Sequence, residues 1–492
     1  MKDVSRLSGA ESTSIQPMKL KQLKKLDDIS IFNKFDSNKS ETISDNEIRE
    51  QGYVGKAFDK VKQYLLKRFG QEKVVNPTDE NGYFQYSSWQ QELRVIKSLD
   101  ELELRNGCCY DVRGCDITQL DLTEEQLLNL TIDKTTVMTP EQKAILEPYM
   151  EAGKNPGLGI RQLHEQGLTG KGVNMAIIDQ PLGMHQEYAD NIIGQVHDIN
   201  SEEMGWTEAS MHGAAVTSIA VGENTGVAPD AGVVYYSAVN MSKDPKDIKA
   251  YKERLLQEIE TNRDNPRYVE YLENQLSNID RFGACSSNKP YVDAINKILD
   301  DNESLPENER VSVISISWGF DELAPGHEEL QQAIQRAKDQ GVFIVSTALE
   351  RHYGMLTCGA NRNPKGDLED PNNYEAGAFW KSGSEGEESV MGNKDELLLV
   401  PMDHRTVADF TDNSSYRYEG NDGGMSWSTP WLAGVYVLAK QADPSITPEK
   451  FWQYALETSK ECRNNDSGNY VGRIMNPQDL IQKIQEQKLI TE

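Results

Sequence analysis

The sequence predicts an α/β fold: a doubly wound, mostly parallel sheet preceded by an α-rich N-terminal region. Two observations carry the prediction. From about residue 155 onward, short runs rich in β-branched residues alternate with segments of helical periodicity. The runs are continuously apolar, which means strands buried on both faces, and such strands belong to parallel sheets covered by helices on either side.

Residues 1–18 are polar and unpatterned and are expected to be a disordered tail. Residues 19–150 read as a region of short, charge-rich helices and strands, and residues 151–488 as one large domain. In that domain the expected strands are 173–178 (VNMAII), 232–239 (GVVYYSAV), 311–317 (VSVISIS) and 341–347 (GVFIVST). Helices at 291–299 (YVDAINKIL) and 328–339 separate the later ones. One segment, 241–288, interrupts the alternation. Ile248, Tyr251, Leu255 and Ile259 keep helical spacing, as do Val269, Leu272, Leu276 and Ile279, and Asn265-Pro266 breaks between them. This predicts an αα-hairpin with one apolar stripe per helix. It reads either as a surface insertion or as a lid or docking arm beside an active site.

Composition narrows the class. The 492 residues are enough to bury a sizeable core. Asp plus Glu number 79 against 51 Lys plus Arg, a formal charge of −28. Nucleic acid and anionic membranes both favour a basic face, so neither is expected as a main partner. No apolar run reaches the roughly 18–20 residues of a membrane span. The opening MKDVSRLSGA lacks the apolar core of a secretory signal, so a cytoplasmic location and reduced thiols for the six cysteines are expected, with export by a route that needs no such signal left open. Nothing in the pattern sets an oligomeric state.

Three side chains stand out for chemistry. His212 opens a run of small and apolar residues, His212-Gly213-Ala214-Ala215-Val216, suited to a closely packed core helix with the imidazole at its N-terminus. Alone, it reads better as a structural histidine. Asp179 ends the apolar run Met175-Ala176-Ile177-Ile178. Open α/β sheets place their chemistry at such carboxyl ends, although a turn aspartate is common there too. Ser426 follows Gly423-Gly424 and precedes the helical run 431–440. There it gains from oriented backbone N–H groups, or serves simply as an N-cap.

Taken together, these segments resemble the subtilase family of serine proteases over about residues 155–485. Ala176-Ile177-Ile178-Asp179 is similar to the family's aspartate strand. His212-Gly213-Ala214-Ala215-Val216 with Gly226-Val227-Ala228-Pro229 is similar to its histidine helix and following loop. Gly424-Met425-Ser426-Trp427-Ser428-Thr429-Pro430 with Leu432-Ala433-Gly434 is similar to its serine motif, and Ser315-Ile316-Ser317-Trp318-Gly319 to its substrate-pairing strand. The order Asp, His, Ser is also the family's. The resemblance implies a subtilisin-like fold and a serine endopeptidase acting on protein or peptide substrates. Ser426 would be nucleophile, His212 general base and Asp179 the group orienting the ring. Ser317, Trp318 and Gly319 would pair with substrate backbone. The insertion 241–288 would stand at the opposite wall of the cleft.

Departures from the family pattern are local. Asp179 is followed by Gln180-Pro181-Leu182, and Ala214 stands where threonine is usual. Neither removes a triad atom. The larger departure concerns the oxyanion hole, where Glu350 falls on the position of the family's asparagine. Losing one such donor costs about 10²–10³ in rate. Three readings stay open: a protonated Glu350 donates, Asn361 or Asn363 takes the role, or the protein is a weakened subtilase that binds and signals. The backbone N–H of Ser426 remains a donor in each.

The N-terminal region holds an EF-hand-like loop, residues 36–47 (DSNKSETISDNE). Asp36, Asn38, Ser40, Ser44 and Glu47 would offer side-chain oxygens to Ca²⁺ and Thr42 a backbone carbonyl. Position 6 is Glu41 rather than glycine, and only Asp36 and Glu47 among the side-chain ligands carry charge, so weak affinity is expected. A metal-free helix–turn–helix and a calcium-responsive regulator are the alternatives. Cys108, Cys109 and Cys115 have no nearby histidine or fourth cysteine and read as ordinary thiols. Residues 51–150 resemble no propeptide, and a prodomain role with cleavage before about Leu158 stays open.

Overall fold

A computed structural model describes residues 18–19, 23–24, 26, 28–35, 43, 48, 55–69, 78–87, 93–102, 104–105, 109–377, 395–421, 423–463 and 468–491. The chain forms two units, residues 1–79 with 205–207, and residues 80–204 with 208–492. The sequence reading places a boundary near residue 150; the packing divides the chain at Asp79 and Glu80 instead. In the smaller unit, helices α1 (Asp28–Phe35) and α2 (Gly55–Phe69) are found. Ile31 and Phe35 of α1 and Val61 and Leu65 of α2 form a small apolar core with Leu23, Ile43 and Ile48. The candidate calcium ligands Asp36, Asn38, Ser40, Thr42, Ser44 and Glu47 lie outside the described residues.

The N-terminal part of the larger unit includes strands β1 (Cys109–Asp111) and β2 (Leu130–Ile132) and helix α3 (Pro140–Gly153). Then comes the predicted alternation: β3 (Asn174–Asp179), β4 (His197–Asp198), α4 (Met211–Val221), β5 (Gly232–Ser237), the hairpin α5 (Pro245–Thr261) and α6 (Pro266–Phe282), α7 (Lys289–Ser304), β6 (Val311–Ile316), α8 (His327–Asp339) and β7 (Phe343–Ser346). The C-terminal part holds α9 (Leu349–Tyr353), β8 (Thr357–Arg362), β9 (Tyr374–Ala376), β10 (Leu398–Pro401), β11 (Arg405–Ala408), β12 (Tyr416–Glu419) and the buried helix α10 (Met425–Ala442).

The central sheet runs β7-β6-β3-β5-β4, every pair parallel. Its strands feed two cores. Met175, Ile177, Val233 and Val313 face one side, against α4 and α10. Ala176, Ile178, Ile314 and Ile316 face the other, against α7 and α8. Burial on both faces is what the continuous apolar runs require. The chain leaves β3 toward β4 and β5, then crosses to β6 on β3's other side. The gap between the carboxyl ends of β3 and β6 is thus a topological switch point, where open α/β sheets bind ligands. Among the described residues no helix is long and apolar enough to cross a membrane.

A second sheet joins distant parts of the chain. β12 pairs antiparallel with both β11 and β2, and β2 pairs parallel with β1. Local pattern gives no hint of this, because the pairing is set by register between remote segments. The fully buried Arg362 guanidinium donates to the carbonyls of Gly153 at 2.7 Å and His404 at 2.7 Å. Thr406 Oγ1 donates to the carbonyl of Met150 at 2.6 Å. Residues 109–153 are therefore built into the fold. A chain beginning at residue 155 is expected to fail to fold, since it strips β2 from β12 and removes a carbonyl from a buried charge. Circular dichroism and denaturant titration check this. A cooperative, soluble truncated chain would count against it.

Candidate active site

β3 delivers Asp179 to the switch point, where the side chain is buried and its Oδ1 accepts the Gln180 N–H at 2.8 Å. α4 delivers His212. Ser210 caps that helix, accepting the His212 N–H at 3.1 Å and donating its hydroxyl to Gln180 Oε1 at 2.5 Å. Its own N–H goes to the Pro181 carbonyl at 2.8 Å. These bonds draw the helix start onto the chain just past Asp179. Gly213 makes the approach feasible, because a Cβ there would sit 2.6 Å from both the Gln180 carbonyl oxygen and the Tyr235 hydroxyl. As a result His212 Nδ1 lies 2.6 Å from Asp179 Oδ1. A carboxylate at Nδ1 selects the tautomer with its proton there and leaves Nε2 as the basic nitrogen. Burial lowers the affinity of the His212 ring for a proton. The charge and hydrogen bond of Asp179, with a further contribution from Glu419, outweigh it, so the ring's pKa lies above the ordinary histidine value.

Ser426 is the second residue of α10, so its N–H belongs to the first turn, which has no partner four residues back. Gly423 permits the tight entry: a Cβ there would lie 2.5 Å from the Met402 carbonyl oxygen and 2.9 Å from Trp427 Cδ1. Ser317, just beyond β6, donates its hydroxyl to the Ser426 carbonyl at 2.8 Å, while the Ser426 hydroxyl is aimed at the Ser317 carbonyl at 3.4 Å. The switch-point segment and the serine helix are thereby tied together. Trp318 N–H returns to the Ile316 carbonyl at 2.7 Å, turning the chain outward, and the Trp318 side chain is 38% exposed.

Three contributors were not legible as functional residues. Trp427 packs its ring against His212 at 5.3 Å between centroids and donates its indole N–H to Glu419 Oε2 at 2.5 Å. Arg417 Nε donates to Glu419 Oε1 at 2.6 Å, both side chains fully enclosed, and Arg417 also reaches Met211 Sδ at 3.7 Å. Thus one buried ion pair in β12 supports the residue behind the imidazole and touches the residue before it. In sequence, charges two apart on a strand look like a solvent-facing edge.

The three oxyanion candidates lie in different settings. Glu350 is solvent-exposed in the first turn of α9, next to Arg351, which pairs with Glu322 at 2.9 Å. Asn361 sits in β8 opposite Glu375, its buried Oδ1 without a hydrogen-bond partner among the described residues. Asn363 is exposed, its amide oxygen spent on the Lys365 N–H at 3.0 Å in a local turn.

A carboxylate–imidazole pair and a helix-start serine thus lie near the switch point of a parallel sheet. The chain belongs to the subtilase family, whose model matches residues 170–474. Its fold is subtilisin-like. Among solved structures it is similar to the prenylagaramide maturation protease, at 15% identity over 66% of this chain and 98% of that one, with a TM-score of 0.41. It is also similar to the A-subunit of the AB5 toxin from E. coli, at 12% identity over 67% of this chain and 98% of that one, TM-score 0.43. A cold-adapted subtilisin-like serine proteinase matches at 15% identity over 62% of this chain and 89% of that one, TM-score 0.38.

Proposed function

We propose that the protein is a serine endopeptidase working by acyl transfer. The observation that carries the reading is the 2.6 Å contact of Asp179 with His212 Nδ1 beside the serine helix. In this mechanism the Ser426 hydroxyl leaves its long 3.4 Å contact with the Ser317 carbonyl and turns to His212 Nε2 when substrate binds. Catalytic hydrogen bonds are often loose before substrate arrives. Ser426 Oγ then attacks the scissile carbonyl as His212 takes its proton, and His212 later protonates the leaving amine. Asp179 holds the tautomer. The Ser426 backbone N–H donates to the oxyanion. Substrate backbone runs along Trp318 and Gly319.

A fluorophosphonate probe tests the reading. Labelling of wild type that is absent in Ser426→Ala supports an activated nucleophile; no labelling from about pH 4 to 9 would sink it. That second outcome fits a weakened, peptide-binding subtilase, which exposed Glu350 at the oxyanion position favours. A pH profile adds a sign. His212 must be neutral to act as base, and its pKa is raised, so kcat/KM should climb through a midpoint above the ordinary histidine value of about 6.5. A limb centred below that value contradicts the assignment of His212.

A further inference from the structure

The hairpin of α5 and α6 lies against the loop that follows the substrate-pairing segment. Arg254 donates to the carbonyl of Leu323 at 3.1 Å, and the Tyr251 hydroxyl donates to Asp321 Oδ2. Asn288 Nδ2 fastens the same loop, donating to the Asp321 carbonyl at 2.7 Å. Between hairpin and loop is a cavity of about 610 Å³ that reaches Trp318 and Gly319. Its walls have two characters. Tyr251, Tyr268 and Tyr271 of the hairpin and Trp318 and Phe320 of the loop contribute to its lining, Tyr251 and Phe320 being buried in neighbouring apolar clusters. Glu258, Asp321 and Glu322 supply three carboxylates against two nearby cations, Arg254 on the Leu323 carbonyl and Arg351 paired with Glu322 at 2.9 Å; Asp321 also accepts the Leu323 N–H at 2.9 Å, and Glu258 accepts the Asn262 amide at 2.8 Å. Two of the aromatic rings stay open to solvent, Tyr271 at 53% and Trp318 at 38% exposure.

An apolar stem ending in a positive charge fits such a space. Aromatic faces attract cations, long basic side chains lay their methylenes on apolar surface, and the excess carboxylates complete the match. An acidic side chain meets repulsion, and a small apolar one leaves the carboxylates unused. We propose that this cavity is a recognition subsite for a lysine or arginine side chain of the substrate peptide, placed a few residues from the scissile bond. The inference rests on the reading of the cleft as a peptide-binding site, because Trp318 is at once wall of the cavity and part of the edge that takes substrate backbone. Ser317, its neighbour, is bonded to Ser426, which sets the distance to the reacting centre at only a few residues of extended chain. It also gives the insertion a role in choosing sequence.

The test separates recognition from catalysis. Fluorescent peptides identical except for lysine, norleucine or glutamate at each position are bound to the Ser426→Ala protein, and affinity is read by anisotropy. The lysine peptide should bind about tenfold tighter than norleucine at one position, the size of one cation–π contact with a partly screened carboxylate. Glutamate should bind weakest there. Glu258→Gln and Tyr271→Ala should each pull the lysine-to-norleucine ratio toward one. Equal affinities at every position, or a ratio insensitive to both substitutions, overturns the proposal, as does failure of any peptide to bind. Loss of hydrolysis in wild type with the lysine preference intact would instead overturn only the catalytic reading.

Discussion

Ser426→Ala is expected to lower kcat for peptide hydrolysis by a factor on the order of 10⁶, the scale for removing a nucleophile that acts as a unit with its base. The expectation follows from the geometry. In the proposed mechanism, Asp179 at 2.6 Å from Nδ1 leaves Nε2 of His212 to take the proton of the Ser426 hydroxyl once that hydroxyl turns from the Ser317 carbonyl. Without that hydroxyl neither the ring nor the helix-start N–H can form an acyl intermediate. His212→Ala should cost nearly as much, and the double variant little more, because the two act as one unit. Single-turnover kinetics with active-site titration measure the effect. A Ser426→Ala protein keeping a tenth of the wild-type rate would remove Ser426 from the nucleophile's role.

Glu419→Ala is expected to destabilise the fold by about 3–5 kcal/mol, the cost of leaving a buried charge without its partner. Arg417 is fully enclosed and spends its Nε on Glu419 at 2.6 Å. The same carboxylate holds the Trp427 indole at 2.5 Å. Its loss therefore frees the ring that packs on His212, and kcat should fall as well as stability. Replacing the pair together, Arg417→Met with Glu419→Leu, should recover most of the stability, since apolar residues of similar size often substitute for a buried ion pair. It should not recover kcat, because Trp427 still lacks its acceptor. Urea titration and kcat measured on the three proteins check both halves. A Glu419→Ala protein as stable as wild type would contradict the account of this pair.

Much of this architecture is legible in residues close in sequence. Met175-Ala176-Ile177-Ile178 reads as a doubly buried strand because each face has a core waiting for it. Gly213 and the alanines after it read as a close-packed helix because that helix presses against the Gln180 carbonyl. The hairpin was visible in the spacing of Tyr251, Leu255, Leu272 and Ile279, which do share one apolar cluster. What stayed hidden depends on pairing across the chain. Leu130–Ile132 has no local mark of adding to Tyr416–Glu419, and the buried state of Arg417 and Glu419 follows only once that sheet forms. The aromatic and acidic cavity combines segments on either side of α7, so no single stretch announces it. Glu350 was readable as a departure, but its exposed place in a short helix was not.

The most direct measurement is an experimental structure of the protein after reaction with a peptidyl phosphonate. The account predicts phosphorus bonded to Ser426 Oγ, His212 Nε2 within about 2.6–3.2 Å of the phosphonate oxygen or Oγ, and Nδ1 still held by Asp179. A protein that takes up no phosphonate, or one whose Ser426 side chain stays against the Ser317 carbonyl with the imidazole out of reach, would contradict it.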